Sequence, residues 1–179
     1  GGGGGGGGGS DGAAVATGAT ALYIACEQGQ LDTARWLLVH GAEVTAAGLD
    51  GTTAMHCACA ANQLEVARWL HDKGAHLEAV DASGEMPIHA ACRGGHHALV
   101  EWLLAVGASA DVPSSNGWRC VHLGALAGSV EVLRTLLDAR ADGGTRADDG
   151  WTPLHVAAED GHLEVGTLSL ALALALALA

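Results

Sequence analysis

The sequence predicts an all-α repeat solenoid built from short helix–turn–helix units. The first observation is spacing: Gly18, Gly51, Gly84, Gly117 and Gly150 stand at one constant interval of 33 residues. The second is that whole columns keep register with those glycines. The apolar position behind the turn holds Leu22, Met55, Ile88, Val121 and Leu154, and the next holds Tyr23, His56, His89, His122 and His155. Two further on stand Ala25, Ala58, Ala91, Gly124 and Ala157. The third observation is the clearest single copy, Gly150 to Val165, which reads G-W-T-P-L-H-V-A-A-E-D-G-H-L-E-V. Thr152 suits a helix N-cap, and Pro153 suits the first helical position, whose N–H needs no partner. Leu154, Ala157 and Ala158 fall on one helical face, Gly161 supplies a left-handed stop, and Leu163 opens a second helix.

Residues 1–17 are a glycine-rich tract followed by small residues. With little to bury they cannot offset the entropy of ordering, so a disordered leader is expected. Repeat one spans 18–50, with helices expected near 21–28 and 31–39. In repeat two, 51–83, Asn62 replaces the helix-ending glycine of Gly29, and Asn tolerates the left-handed backbone best after Gly. Repeat three, 84–116, keeps Pro87 and the pair Gly107-Ala108. Repeat four, 117–149, is the poorest copy. Arg119 and Cys120 replace the capping Thr and the Pro, and Arg140 stands where Gly41, Gly74 and Gly107 end the outer helix. A side chain at positive φ costs about 1 kcal/mol, so local opening is expected to start there.

Repeat five begins at Gly150, and after Val165 it gives way to a low-complexity Leu/Ala tail over 166–179. Leu and Ala favour a helix there. The apolar run from Leu170 to Ala179 is too short for a bilayer, which takes about 20 residues. Both ends read as translated simple nucleotide repeats, so a fragment or an imperfect gene model is expected.

In these columns the chain resembles the ankyrin-repeat family, from Gly18 to about Val165. The resemblance implies helix pairs joined by β-hairpin-like loops, with the histidine column bonding turn backbone and linking neighbouring repeats. It also implies protein–protein recognition on the concave surface made by hairpin fingers and inner helices. Carried over residue by residue, that surface comprises Leu49, Asp50, Thr52, Ser83, Glu85, Arg93, Ser115, Asn116, Trp118, Leu126, Asp148, Asp149, Trp151, Glu159 and Asp160.

The charge of −12 comes from 20 acidic and 8 basic residues with no basic run, which argues against nucleic acid and anionic membrane surfaces. A protein with a basic or mixed-charge surface is the expected partner. Ten histidines and five cysteines invite a metal reading, but the columns oppose it. Cys26, Cys59 and Cys92 share one small buried column, and stacked helices stand roughly 8–10 Å apart. A disulfide needs Cα atoms within about 7 Å, so these thiols are expected to stay free. No C-x-x-C pair or nucleophile–base motif occurs, so no metal, cofactor or catalytic residue is expected.

Trp36, Trp69 and Trp102 form a ladder on the outer helices, expected to pack between repeats. Trp118 and Trp151 each directly follow a turn glycine, a position that the resemblance places pointing out from the finger tip. They are therefore expected to be exposed there beside the acidic group Asp148, Asp149, Glu159 and Asp160, with packing on the neighbouring finger as the alternative. A monomeric cytoplasmic scaffold is the leading expectation. The alternatives are the ankyrin portion of a larger membrane protein or of an ankyrin-fused enzyme.

Overall fold

The computed structural model describes residues 21–168. The leader, Gly18 and the tail beyond Leu168 lie outside the described residues. Among the described residues the chain forms ten helices in alternation. The inner series is α1 (21–27), α3 (Ala54–Ala60), α5 (Pro87–Arg93), α7 (Cys120–Leu126) and α9 (Pro153–Glu159). The outer series is α2 (Leu31–Val39), α4 (Leu64–Asp72), α6 (His97–Ala105), α8 (Val130–Asp138) and α10 (163–168). This is the expected all-α repeat solenoid.

Local chemistry sets the helix lengths. α3, α5, α7 and α9 each run seven residues from an extended N-cap, namely Thr53, Met86, Arg119 and Thr152. Pro87 and Pro153 open α5 and α9 at the position expected for Pro153. Two non-glycine residues take positive φ among the described residues: Asn62 at 58° and Arg140 at 67°. Both stand in columns otherwise filled by glycine, as the sequence requires.

The core is a stack of layers. Leu22, Met55, Ile88 and Val121 are fully excluded from solvent. Leu154, the fifth member of that column, is only half-buried. Inner helices pack in sequence, α3 on α5, α5 on α7 and α7 on α9. The small column between them, Ala58, Ala91, Gly124 and Ala157, lets the helices approach closely. Among the outer helices α6 packs directly on α8, whereas α2 and α4 meet more sparsely.

The histidine column does what the resemblance implies. In repeats two to four the backbone N–H of the N-cap donates to histidine Nδ1: Thr53 to His56, Met86 to His89 and Arg119 to His122. Nδ1 therefore carries the lone pair, and Nε2–H is left to donate. It reaches the loop leading to the next inner helix: His56 to the Glu85 carbonyl at 3.1 Å, His89 to Val112 at 2.9 Å and His122 to Trp151 at 3.2 Å. Tyr23, in the same column, donates its hydroxyl to the Ala46 carbonyl at 2.9 Å.

The five cysteines are free. Burial pushes the Cys26 thiol up to about 12 and that of Cys57 to about 11, so both stay protonated small hydrophobes at neutral pH.

Repeat four is held differently from the other repeats. Arg119 does not cap through its side chain; its guanidinium Nε donates to the Asp111 carbonyl at 3.1 Å, and Nη1 binds the Thr145 hydroxyl. An ion pair with Asp111 at 3.4 Å completes the bridge. The lost threonine cap is thus partly offset by a staple between two loops.

The outer tryptophans divide. Trp69 and Trp102 pack against the core, and Trp102 sets its edge on His71 of the preceding repeat. Trp36 departs from the expected inter-repeat packing. It is 58% exposed and stacks on His40 of its own repeat, with ring centroids 3.9 Å apart.

Candidate binding surface on the concave face

Each finger is a tight turn closed by two backbone bonds. Gly51 N–H donates to the Gly48 carbonyl and Gly48 N–H to Thr52. The same two bonds recur at Asp81–Glu85, Ser114–Trp118 and Ala147–Trp151. Side chains then tie the turn: Asp50, Asn116 and Asp149 accept the backbone N–H two residues on, from Thr52, Trp118 and Trp151. The bond from Thr52 holds the Asp50 carboxyl below its usual range.

Adjacent fingers are stitched together by backbone. Ala82 N–H donates to the Asp50 carbonyl at 2.7 Å, Ser115 to Ser83 at 2.8 Å, and Asp148 to Asn116 at 3.1 Å. This ladder explains why the turn residue must be glycine. A Cβ on Gly117, where φ is 78°, would sit 2.7 Å from the Asp148 backbone nitrogen. The four fingers form one pre-ordered edge rather than four separate loops.

The sequence-predicted residues divide on this frame. Leu49, Asp50, Ser83, Ser115, Asn116, Asp148 and Asp149 lie exposed on the fingers. Thr52 and Glu85, one residue past the turn glycine, are half-buried. Arg93, Glu159 and Asp160 are exposed at the ends of α5 and α9, and Leu126 is 37% exposed at the end of α7.

Five of them converge. Ser83, Glu85, Arg93, Ser115 and Asn116 line one shallow depression of about 430 Å³, drawn from two fingers and one inner helix. Across it Arg93 grips Glu85 with both terminal nitrogens, Nη1 to Oε2 at 2.8 Å. The periodicity places Trp118 with Leu126, and Trp151 with Glu159, at the equivalent positions of the next two repeats.

Trp118 and Trp151 are not exposed at the finger tips, as the sequence suggested. Both are half-buried and packed against the core. The reason is the turn geometry: each carbonyl closes the finger, so the residue already belongs to the leg descending into the inner helix. From there the indole lies over the imidazole four residues on, 5.7 Å from His122 and 6.2 Å from His155.

Sequence reasoning also missed two sets of residues that shape the face. Asp81 accepts from the Ser83 and Glu85 N–H groups at 2.8 and 2.9 Å, fixing the finger that carries both. An Asp three residues before a turn glycine is the signal that points to it. The other set, Gln63, His96 and His162, reaches back one repeat from the starts of α4, α6 and α10.

Among the described residues no helix is long and apolar enough to cross a membrane. The family model described as "Ankyrin repeats (3 copies)" matches residues 8–81 and again 78–147, and "Ankyrin repeat" matches 149–168. Curated proteins gave no significant match. Ankyrin repeats are generally protein–protein interaction modules and are typically non-enzymatic. With the glycine period, the stitched fingers and family models covering most of its length, the chain belongs to the ankyrin-repeat family.

Proposed function

We propose that this chain is a monomeric scaffold that binds a protein partner on its concave face, with the repeats bounded at 18–50, 51–83, 84–116, 117–149 and 150 onward. The observation that supports it best is the depression where Ser83, Glu85, Arg93, Ser115 and Asn116 meet. Its donors and acceptors sit on fingers already locked by backbone bonds, so little ordering entropy is lost on binding.

Two further groups extend the surface toward repeat five: the apolar strip of Trp118, Leu126 and Trp151, and the carboxylates Asp148, Asp149, Glu159 and Asp160. Arg93 is tied up by Glu85. The rest of the face is acidic, which suits a basic or mixed-charge partner. A cytoplasmic setting fits the free thiols.

The test starts from a partner recovered with the full chain. Arg93→Ala combined with Asn116→Ala is expected to weaken that complex by about 2 kcal/mol in titration calorimetry, with the melting temperature unchanged. Unchanged affinity would remove the depression as the site.

A further inference from the structure

We propose a second docking surface on the opposite face, a groove between α2 and α4 that accepts an acidic amphipathic helix of a partner protein. The groove encloses about 600 Å³ and is lined by Arg35, Leu38 and Val39 from one side and by Trp69, Asp72 and Lys73 from the other. At this step α2 and α4 meet sparsely.

One residue of this surface, Val39, sets repeat one apart. Val39 is 83% exposed at a position held by Asp72, Ala105 and Asp138 in the following repeats. Leu38 stands where α4 has His71 but α6 and α8 keep Leu104 and Leu137, and Trp36, 58% exposed, follows Arg35 on the same helix. Val39 adjoins the half-buried Leu38 and Trp69 in the groove floor, and an apolar floor open to solvent is a surface that a partner can cover.

Charge decides the occupant. Arg35 and Lys73 flank the apolar floor together with Asp72, and neither cation forms an ion pair among the described residues, so the rim keeps one net positive charge. A net positive rim beside an apolar floor, on a chain of net charge −12, selects a segment that offers leucine-like side chains with carboxylates around them. Two cations are too few to hold so acidic a chain on an anionic bilayer, which leaves a protein segment. Each of the two helices has nine residues, about 13 Å of length. That matches two to three turns of a docked helix, with anchors at i, i+4 and i+7.

The test uses the full 179-residue chain and a stapled helical peptide of about 15 residues. One version carries leucines at i, i+4 and i+7 flanked by glutamates; the control replaces each glutamate by lysine. The glutamate peptide is expected to bind saturably, shifting the Trp36 and Trp69 indole resonances, and the lysine peptide to bind at least about tenfold more weakly. Val39→Asp and Lys73→Glu should each weaken binding at least about fivefold. Val39→Asp copies the residue that repeats two and four already carry, so the fold tolerates it. Arg93→Ala, on the concave face, should leave binding unchanged, which separates this surface from the one proposed above.

Equal binding of the two peptides, or indifference to Val39→Asp, overturns the proposal. So does self-association of the chain, or binding to phosphatidylserine vesicles, that Val39→Asp abolishes.

Discussion

Nε2 of His96 lies 3.1 Å from the Ala60 carbonyl, 36 residues earlier, so the start of α6 is tied to the end of α3. Gln63 makes the same reach to Glu27 at 3.1 Å, and His162 to Leu126 at 3.1 Å. Ser129 occupies this column in repeat four and is too short. Its hydroxyl instead caps its own helix, accepting the Val132 N–H at 3.2 Å. The step from repeat three to repeat four therefore lacks one cross-link and keeps, beside the packing of α5 on α7 and α6 on α8, the surface bonds His97 to Thr135 and Arg119 to Asp111. Gln63→Ala and His96→Ala should each lower stability by about 1 kcal/mol in urea denaturation. Amide exchange should run faster in α8 than in α4, and the reverse order would contradict this account of repeat four.

The turn glycines allow a sharper comparison. Gly117 and Gly150 have nearly the same backbone, φ 78° and 85°. They differ in surroundings: the Asp148 backbone nitrogen closes on Gly117, whereas nothing lies within 4 Å of a Cβ on Gly150. Gly150→Ala should cost about 1 kcal/mol, the conformational term alone. Gly117→Ala should cost clearly more, because the neighbouring finger is backbone and cannot rotate away. Equal denaturation midpoints for the two variants would mean that the finger ladder contributes nothing.

The difference between those glycines also marks how far the sequence could be read. The interval from Gly51 to Gly150 gave the repeat and the helix positions, and Asn62 and Arg140 were recognisable as left-handed because they interrupt glycine columns. Such features repeat as letters. The rung formed by Gln63, His96 and His162 does not, because its column holds different residue types that share only a donor at the right reach. Trp118 was misjudged for another reason. Its place behind the turn was legible, but the rotation of the indole onto His122 depends on which backbone groups close the finger. The depression around Arg93 was legible as a set of columns. The groove beside Val39 was not, since it depends on how far apart two outer helices stand.

Arg140 offers a test of stored strain. Its φ of 67° matches the sense of Gly41, Gly74 and Gly107, which end the other outer helices at 96°, 90° and 100°. No atom lies within 4 Å of a Cβ placed on those three glycines, so sterics with neighbours do not enter. Arg140→Gly should stabilise repeat four by up to about 1 kcal/mol, less the added freedom of glycine in the unfolded chain. Thermal melting of the full chain checks the sign, and a lower midpoint would show that the Arg140 side chain contributes more than its backbone costs.

The histidine column makes stability depend on pH in a stated direction. Burial holds His89 and His122 below the ordinary value of 6.5, helped at His122 by the nearby Arg119 charge. Their Nδ1 atoms accept the Met86 and Arg119 N–H groups, so a proton there would break the turn into α5 or α7. Well above pH 6.5 both rings are neutral whether folded or unfolded, and the full stability is present. Below it the unfolded chain takes up protons that the folded chain refuses, so stability falls as pH drops toward the folded values. The slope cannot exceed about 1.4 kcal/mol per pH unit for each histidine. Urea midpoints should be flat from pH 8 to about 7 and decline from about 6.5 downward. Asn keeps an acceptor at the Nδ1 position without titrating, so His89→Asn with His122→Asn should flatten that decline even while lowering stability overall. A decline of the same steepness in the double variant would assign the acid sensitivity to other groups.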